Sequence, residues 1–172
     1  MVLPVNEQVA VAPYQQLMVS RCTVPAATFN AGAAFNLFAI TGGPILVAAL
    51  FGHVTTLMGA GALLLRLQHT PDVAIYPTTG IVPLCGAAAT IAGDPVDTLW
   101  IWDGMTAGVA APTTAVGYCD ATENAWMGGG GEIILVEGVI SQTSAVACNA
   151  GEADFYMLWR GQRGTPRVVT QQ

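Results

Sequence analysis

Short runs of alternating apolar and polar positions recur along this chain. Phe35, Leu37 and Ala39 alternate with Asn36, Phe38 and Ile40. Leu63, Leu65 and Leu67 alternate with Leu64, Arg66 and Gln68, and near the end Phe155, Met157 and Trp159 alternate with Asp154, Tyr156, Leu158 and Arg160. A period of two puts successive side chains on opposite faces of a strand, so each run predicts a half-buried β-strand. Further strands are predicted over 45–57, as one long strand or a pair hinged at Gly52, and over 81–91, where Pro83 and Gly86 admit an edge or bulge. Leu99-Trp100-Ile101-Trp102 and the run 133–140 complete the set, both rich in strand-favouring residues. Turn chemistry separates them: Gly42-Gly43-Pro44, His69-Thr70-Pro71-Asp72, Gly93-Asp94-Pro95, and Asn149-Ala150-Gly151 after the polar run 141–144. Amphipathic helical spacing is missing throughout. The pattern predicts an all-β fold, a β-sandwich or jelly-roll-like single domain over 29–172.

The hydrophobic pattern is densest between Cys22 and Leu65, a stretch with no Asp, Glu, Lys or Arg. A membrane-spanning helix needs about 20 apolar residues, and Gly43 to Leu65 is long enough. However, no Lys/Arg cluster flanks it, and it passes directly into the alternating run at Leu63. Buried strands are the expectation, with Phe51 and His53 facing a core or an interface. Before this stretch, residues 1–28 carry Pro4, Pro13 and Pro25, which break helices. They predict an extended N-terminal arm in which Val9, Val11, Tyr14, Leu17 and Met18 are buried against a neighbouring subunit.

Composition sharpens this picture. Of 172 residues, 53% are hydrophobic and 9% charged, whereas about a quarter is charged in ordinary soluble domains. A chain so poor in charge exposes apolar surface, the mark of an association site, so a homo-oligomer is expected. The net charge of −6 and five Arg with no Lys argue against nucleic acid, whose backbone is bound by clustered cations. The N-terminus lacks the basic and apolar regions of an export signal. Cys22, Cys85, Cys119 and Cys148 admit three disulfide pairings but show no CxxC spacing, and reduced, buried thiols are the expectation.

Candidate chemistry is sparse. His53 and His69 are the only histidines and make no HxH or HExxH motif, so no zinc site is expected. His69, ahead of Thr70-Pro71, is read as a turn residue. Asp94, Asp97, Asp103 and Asp120 do not match a calcium loop. Gly128-Gly129-Gly130-Gly131 lacks the Lys-Ser/Thr of a phosphate loop. With no nucleophile–base constellation either, the expectation is a non-enzyme without catalytic residues, cofactor or metal.

One resemblance adds to this. The succession Phe38-Ala39-Ile40-Thr41-Gly42-Gly43-Pro44-Ile45, Gly52-His53-Val54-Thr55-Thr56 and Leu67-Gln68-His69-Thr70-Pro71 resembles structural proteins of tailed-bacteriophage virions. Val82-Pro83-Leu84-Cys85, Gly93-Asp94-Pro95, Leu99-Trp100, Gly138-Val139-Ile140 and Phe155-Tyr156-Met157-Leu158-Trp159-Arg160 continue it, over roughly Thr28 to Gly161. The resemblance implies a β-rich virion subunit that decorates a capsid or builds a tail, without separating the two roles; a capsid decoration or cement subunit, assembled in the host cytoplasm, is the expectation adopted. Its implied partners are copies of itself, as a trimer, and the major capsid or other virion proteins. A tail or fibre component is the runner-up. From a different class, a carbohydrate- or receptor-binding sandwich would use Trp100, Trp102, Tyr118 and Trp126 as stacking platforms.

Overall fold

A computed structural model of the chain describes residues 16–25, 34–59, 65–76, 80–84, 91–102, 133–144 and 150–170. The described residues contain ten strands and no helix: β1 (Met18–Pro25), β2 (Ala34–Thr41), β3 (Ile45–Thr56), β4 (Leu65–Pro71), β5 (Val82–Pro83), β6 (Leu99–Trp102), β7 (Ile133–Leu135), β8 (Gly138–Ser144), β9 (Glu152–Gly161) and β10 (Arg167–Thr170). They form two antiparallel sheets. The first has the order β1-β9-β3-β6, with β7 also paired to β3. The second has the order β10-β2-β8-β4-β5. Inward side chains from both, among them Val24, Val47, Trp100, Phe155 and Met157 from the first and Leu37, Phe38, Leu65, Leu67 and Ile140 from the second, pack into one core. The all-β sandwich expected from the alternation is the observed architecture.

The charge-free stretch supplies the centre of the first sheet. β3 runs unbroken for twelve residues between β9 on one side and β6 and β7 on the other. Gly52 is therefore no hinge. A Cβ built there would lie 2.6 Å from Cε3 of Trp100 and 3.4 Å from Cε1 of Phe155. The missing side chain makes room for the indole, which is wholly buried and donates from Nε1 to Oδ2 of Asp94 at 2.8 Å. Among the described residues, no helix is long and apolar enough to cross a membrane.

Of the connections that carry the chain between the sheets, three lie wholly within the described residues, β2–β3, β7–β8 and β9–β10, and two of these are laced together. Gly42 and Gly43 turn β2 into β3 with φ of 76° and 131°, a region that L side chains rarely adopt. A Cβ on either would come within 2.5 Å of a backbone oxygen, Thr165 O or Arg163 O, in the β9–β10 connection. Thr165 N donates to Gly42 O and Gln162 N to Pro44 O, both at 3.1 Å. The third crossing corrects an expectation. The apolar run 133–140 is not one strand: β7 lies in the first sheet and β8 in the second. Gly138, at φ 151°, begins β8 close against Thr70 O and the His69 ring.

Four further expectations change. Met18–Pro25, assigned to the arm, is a strand of the domain's own sheet, paired with β9 from Met18↔Trp159 to Pro25↔Glu152. Its residues Cys22 and Val24 are buried, so core burial holds it in place. His69 is not a turn residue but a buried member of β4, with Nε2 3.1 Å from Val136 O. The polar run 141–144 continues β8, where Ser141 and Gln142 are buried. In β2 a register shift between Asn36 and Phe38 lets both Leu37 and Phe38 enter the core, which strict alternation had assigned to opposite faces. The strand expected over 81–91 is described as Val82–Pro83, an edge strand on β4, as Pro83 suggested. β10 was not anticipated.

Candidate association surface

The outer face of the first sheet is fixed by the pleat of β9, whose odd-numbered residues 153–161 are all buried inward. The even-numbered ones point outward and register with β1 on one side and β3 on the other. Three rows result: Val19–Leu158–Ala49, Arg21–Tyr156–Phe51, and Thr23–Asp154–His53. Farther along, exposed Ile134 lies opposite Leu46.

The middle row is stacked. The rings of Phe51 and Tyr156 lie 5.0 Å apart at 13°, an arrangement worth about 0.5–1.5 kcal/mol beyond the area it buries. The Arg21 guanidinium sits 5.9 Å from the Tyr156 centroid, within cation–π range. Arg21 also reaches the third row, donating from Nη2 to Asp154 Oδ2 at 2.7 Å. Thr23 Oγ1 donates to the other carboxylate oxygen at 2.6 Å, and the Tyr156 hydroxyl lies 3.4 Å from Oδ2. This roof leaves Asp154 only 2% exposed although it belongs to the outer face. The sequence pattern placed Asp154 outward but not under cover. Burial raises its carboxyl pKa, but the bonds from Thr23 and Arg21, the Arg21 charge and the Tyr156 hydroxyl outweigh it and hold the pKa below its ordinary value. The same carboxylate raises the pKa of Arg21.

His53 borders this patch. Its Nε2 lies 3.0 Å from Oδ1 of Asp97, a residue with φ of 68° whose N–H donates to Val54 O. His53 and Asp97 have no serine, threonine or cysteine bonded to them among the described residues. Asp94 is occupied by Trp100, and burial raises its carboxyl against the lowering effect of that bond. Asp103, Asp120 and residues 128–131 lie outside the described residues. Among the described residues, no three His, Cys, Asp or Glu side chains come together to hold a metal ion.

Comparison with protein-family models, curated proteins and solved structures finds no match.

The expected interface residues separate into three groups. Val9, Val11 and Tyr14 lie outside the described residues. Leu17 is exposed just before β1, while Met18 is half-buried and packs on the core. Phe51 and His53 share the outer face with Tyr156 and Asp154. Val19, Arg21, Tyr156 and Leu158 were not anticipated as one surface. Their alternation was visible, but only the pairing of β1 with β9 brings them together. Of the aromatic residues considered for a sugar platform, Trp100 is wholly buried and serves the core instead. Trp102 lies in β6, and Tyr118 and Trp126 lie outside the described residues.

Proposed function

We propose that this chain is a structural subunit of a tailed-bacteriophage virion, a decoration or cement protein that binds copies of itself, as a trimer, and the capsid shell. One observation carries the reading: the outer face of the first sheet presents Val19, Leu158, Tyr156 and Phe51 with its charge confined to a few paired or peripheral groups. Val19 is 64% exposed and Ile134 62%, and contiguous exposed apolar surface marks association sites. Its action would be adhesive. Burying about 400 Å² of apolar surface at about 25 cal/mol per Å² supplies about 10 kcal/mol. That is comparable with the roughly 4–15 kcal/mol that association costs, and the symmetry of a shell repeats the contact.

Sedimentation of the full chain at micromolar concentration tests the adhesive part. The expected result is an oligomer that Val19→Asp dissociates without lowering the unfolding temperature; a well-folded wild-type monomer would overturn it. Mass spectrometry of purified particles tests the virion part. A copy number matching the shell lattice supports decoration, whereas a few copies per particle would assign the chain to the tail or a fibre. Absence from particles would refute both.

A further inference from the structure

The second sheet carries a separate feature on its own outer face. A groove of about 600 Å³ runs over β2, β8 and β4, walled by Pro71, Asp72, Val73 and exposed Ile81. This volume falls in the range of small-molecule sites, roughly 300–1,000 Å³. Its floor contains Asn36, Ser141 and Gln68, which the strand pairing places in one transverse row, Asn36↔Ser141 and Gln68↔Ser141. Two inter-strand spacings make this row about 10 Å long. Thr70 and Thr41 extend the polar floor.

The side chains of Asn36, Ser141 and Gln68 make no hydrogen bond with another described residue. Ser141 is nevertheless only 2% exposed. Its hydroxyl lies on the groove floor between two carboxamides, where a group entering the groove can reach all three. The row is also neutral. Asp72 is the sole charged residue among the described residues lining the groove, and its Oδ1 accepts from the Ala74 N–H at 2.9 Å.

We infer that this groove binds an uncharged saccharide, with the Asn36–Ser141–Gln68 row holding its hydroxyls and Val73 and Ile81 packing against its C–H faces. A sugar hydroxyl both donates and accepts, which matches carboxamides that offer an N–H₂ and a carbonyl side by side. An anionic ligand would meet Asp72 and no lining cation. An extended peptide would find side chains here rather than the open backbone edge that β-addition uses. The site is distinct from the outer face of the first sheet, so loss of oligomerisation would leave it untouched.

The test is NMR titration of the full chain with maltose, cellobiose, lactose and chitobiose. At least one is expected to bind with Kd of about 1 mM or tighter, shifting the backbone resonances of 36, 68, 81 and 141. Asn36→Ala and Gln68→Ala should each weaken binding about tenfold, the scale of one lost hydrogen bond. Val169→Ala, on the same face but outside the groove, should not. No binding by any of the four sugars, or shifts confined to other residues, would overturn the inference. So would unchanged affinity in an Asn36→Ala/Gln68→Ala variant that unfolds like the wild type. The wild-type shift map decides the matter even where a variant is too unstable to titrate.

Discussion

Replacing Gly52 with Ala is the most direct challenge to the packing of the first sheet. In a free strand this change is favourable by roughly 0.5–1 kcal/mol, because Ala loses less backbone entropy on folding. Here the new methyl would lie 2.6 Å from Cε3 of Trp100, a distance that real Cβ atoms essentially never show, and in tight contact with Phe155. The indole cannot retreat easily, since Asp94 holds its Nε1 and Phe155 packs against it with centroids 6.0 Å apart. Overpacking of this kind costs about 1–3 kcal/mol, enough to reverse the sign. The assay is urea denaturation followed by circular dichroism, with Gly80→Ala as the control, because nothing lies within 4 Å of a Cβ at that position. A double-mutant cycle with Trp100→Leu isolates the contact: once the indole is removed, Gly52→Ala should lose most of its cost. An equal or raised stability of Gly52→Ala alone would refute the reasoning.

Other expectations follow from particular groups. Burial lowers the pKa of His69 from 6.5, opposed by its bond to Val136 O; the unfolded chain thus takes up a proton that the folded one refuses. Stability should fall as pH drops through about 6.5 toward the lower folded value, and His69→Gln should flatten that part of a denaturation-versus-pH curve. Asp154 titrates below its ordinary value of 3.8, so its contribution is present above that pH and lost as pH falls through the folded value; Asp154→Asn should remove this acid limb. Deleting residues 1–28 removes β1 and uncovers the β9 edge beside Phe155 and Trp159, so the remainder should melt at lower temperature or aggregate.

Strands β2, β3, β4, β6 and β9 were legible because alternation and composition are local signals. The inward set Phe155, Met157 and Trp159 followed from period two alone, and all three are buried. What stayed hidden depends on partners distant in sequence. β1 has its own alternation, with Cys22 and Val24 buried between exposed neighbours, but three prolines drew attention to an arm. The run 133–140 is apolar apart from Glu137 and Gly138, and its apolar residues belong to both sheets. Periodicity therefore cannot show where it changes sheets, and only Gly138 marks the point. Asp154 read as a residue of the outward strand face and His69 as a turn residue, and it is Arg21, Thr23 and Tyr156 in one case and Val136 in the other that make their burial tolerable. Of the proposed association surface, Phe51 and His53 were visible in the sequence, while Val19, Arg21 and Tyr156 needed the register of β1 on β9.

That register also constrains how the molecule is made. The first described strand lies beside one of the last, Met18 opposite Trp159, and β9 separates β1 from β3. On a ribosome, β3 would emerge with its apolar residues long before its central neighbour has been translated. Such far-separated pairings close slowly and leave hydrophobic strands waiting. The chain should therefore fold after synthesis rather than during it. Its yield in a cell should then depend on what shields β3 in the interval, so that limiting chaperone capacity reduces soluble protein more than a modest loss of native stability does.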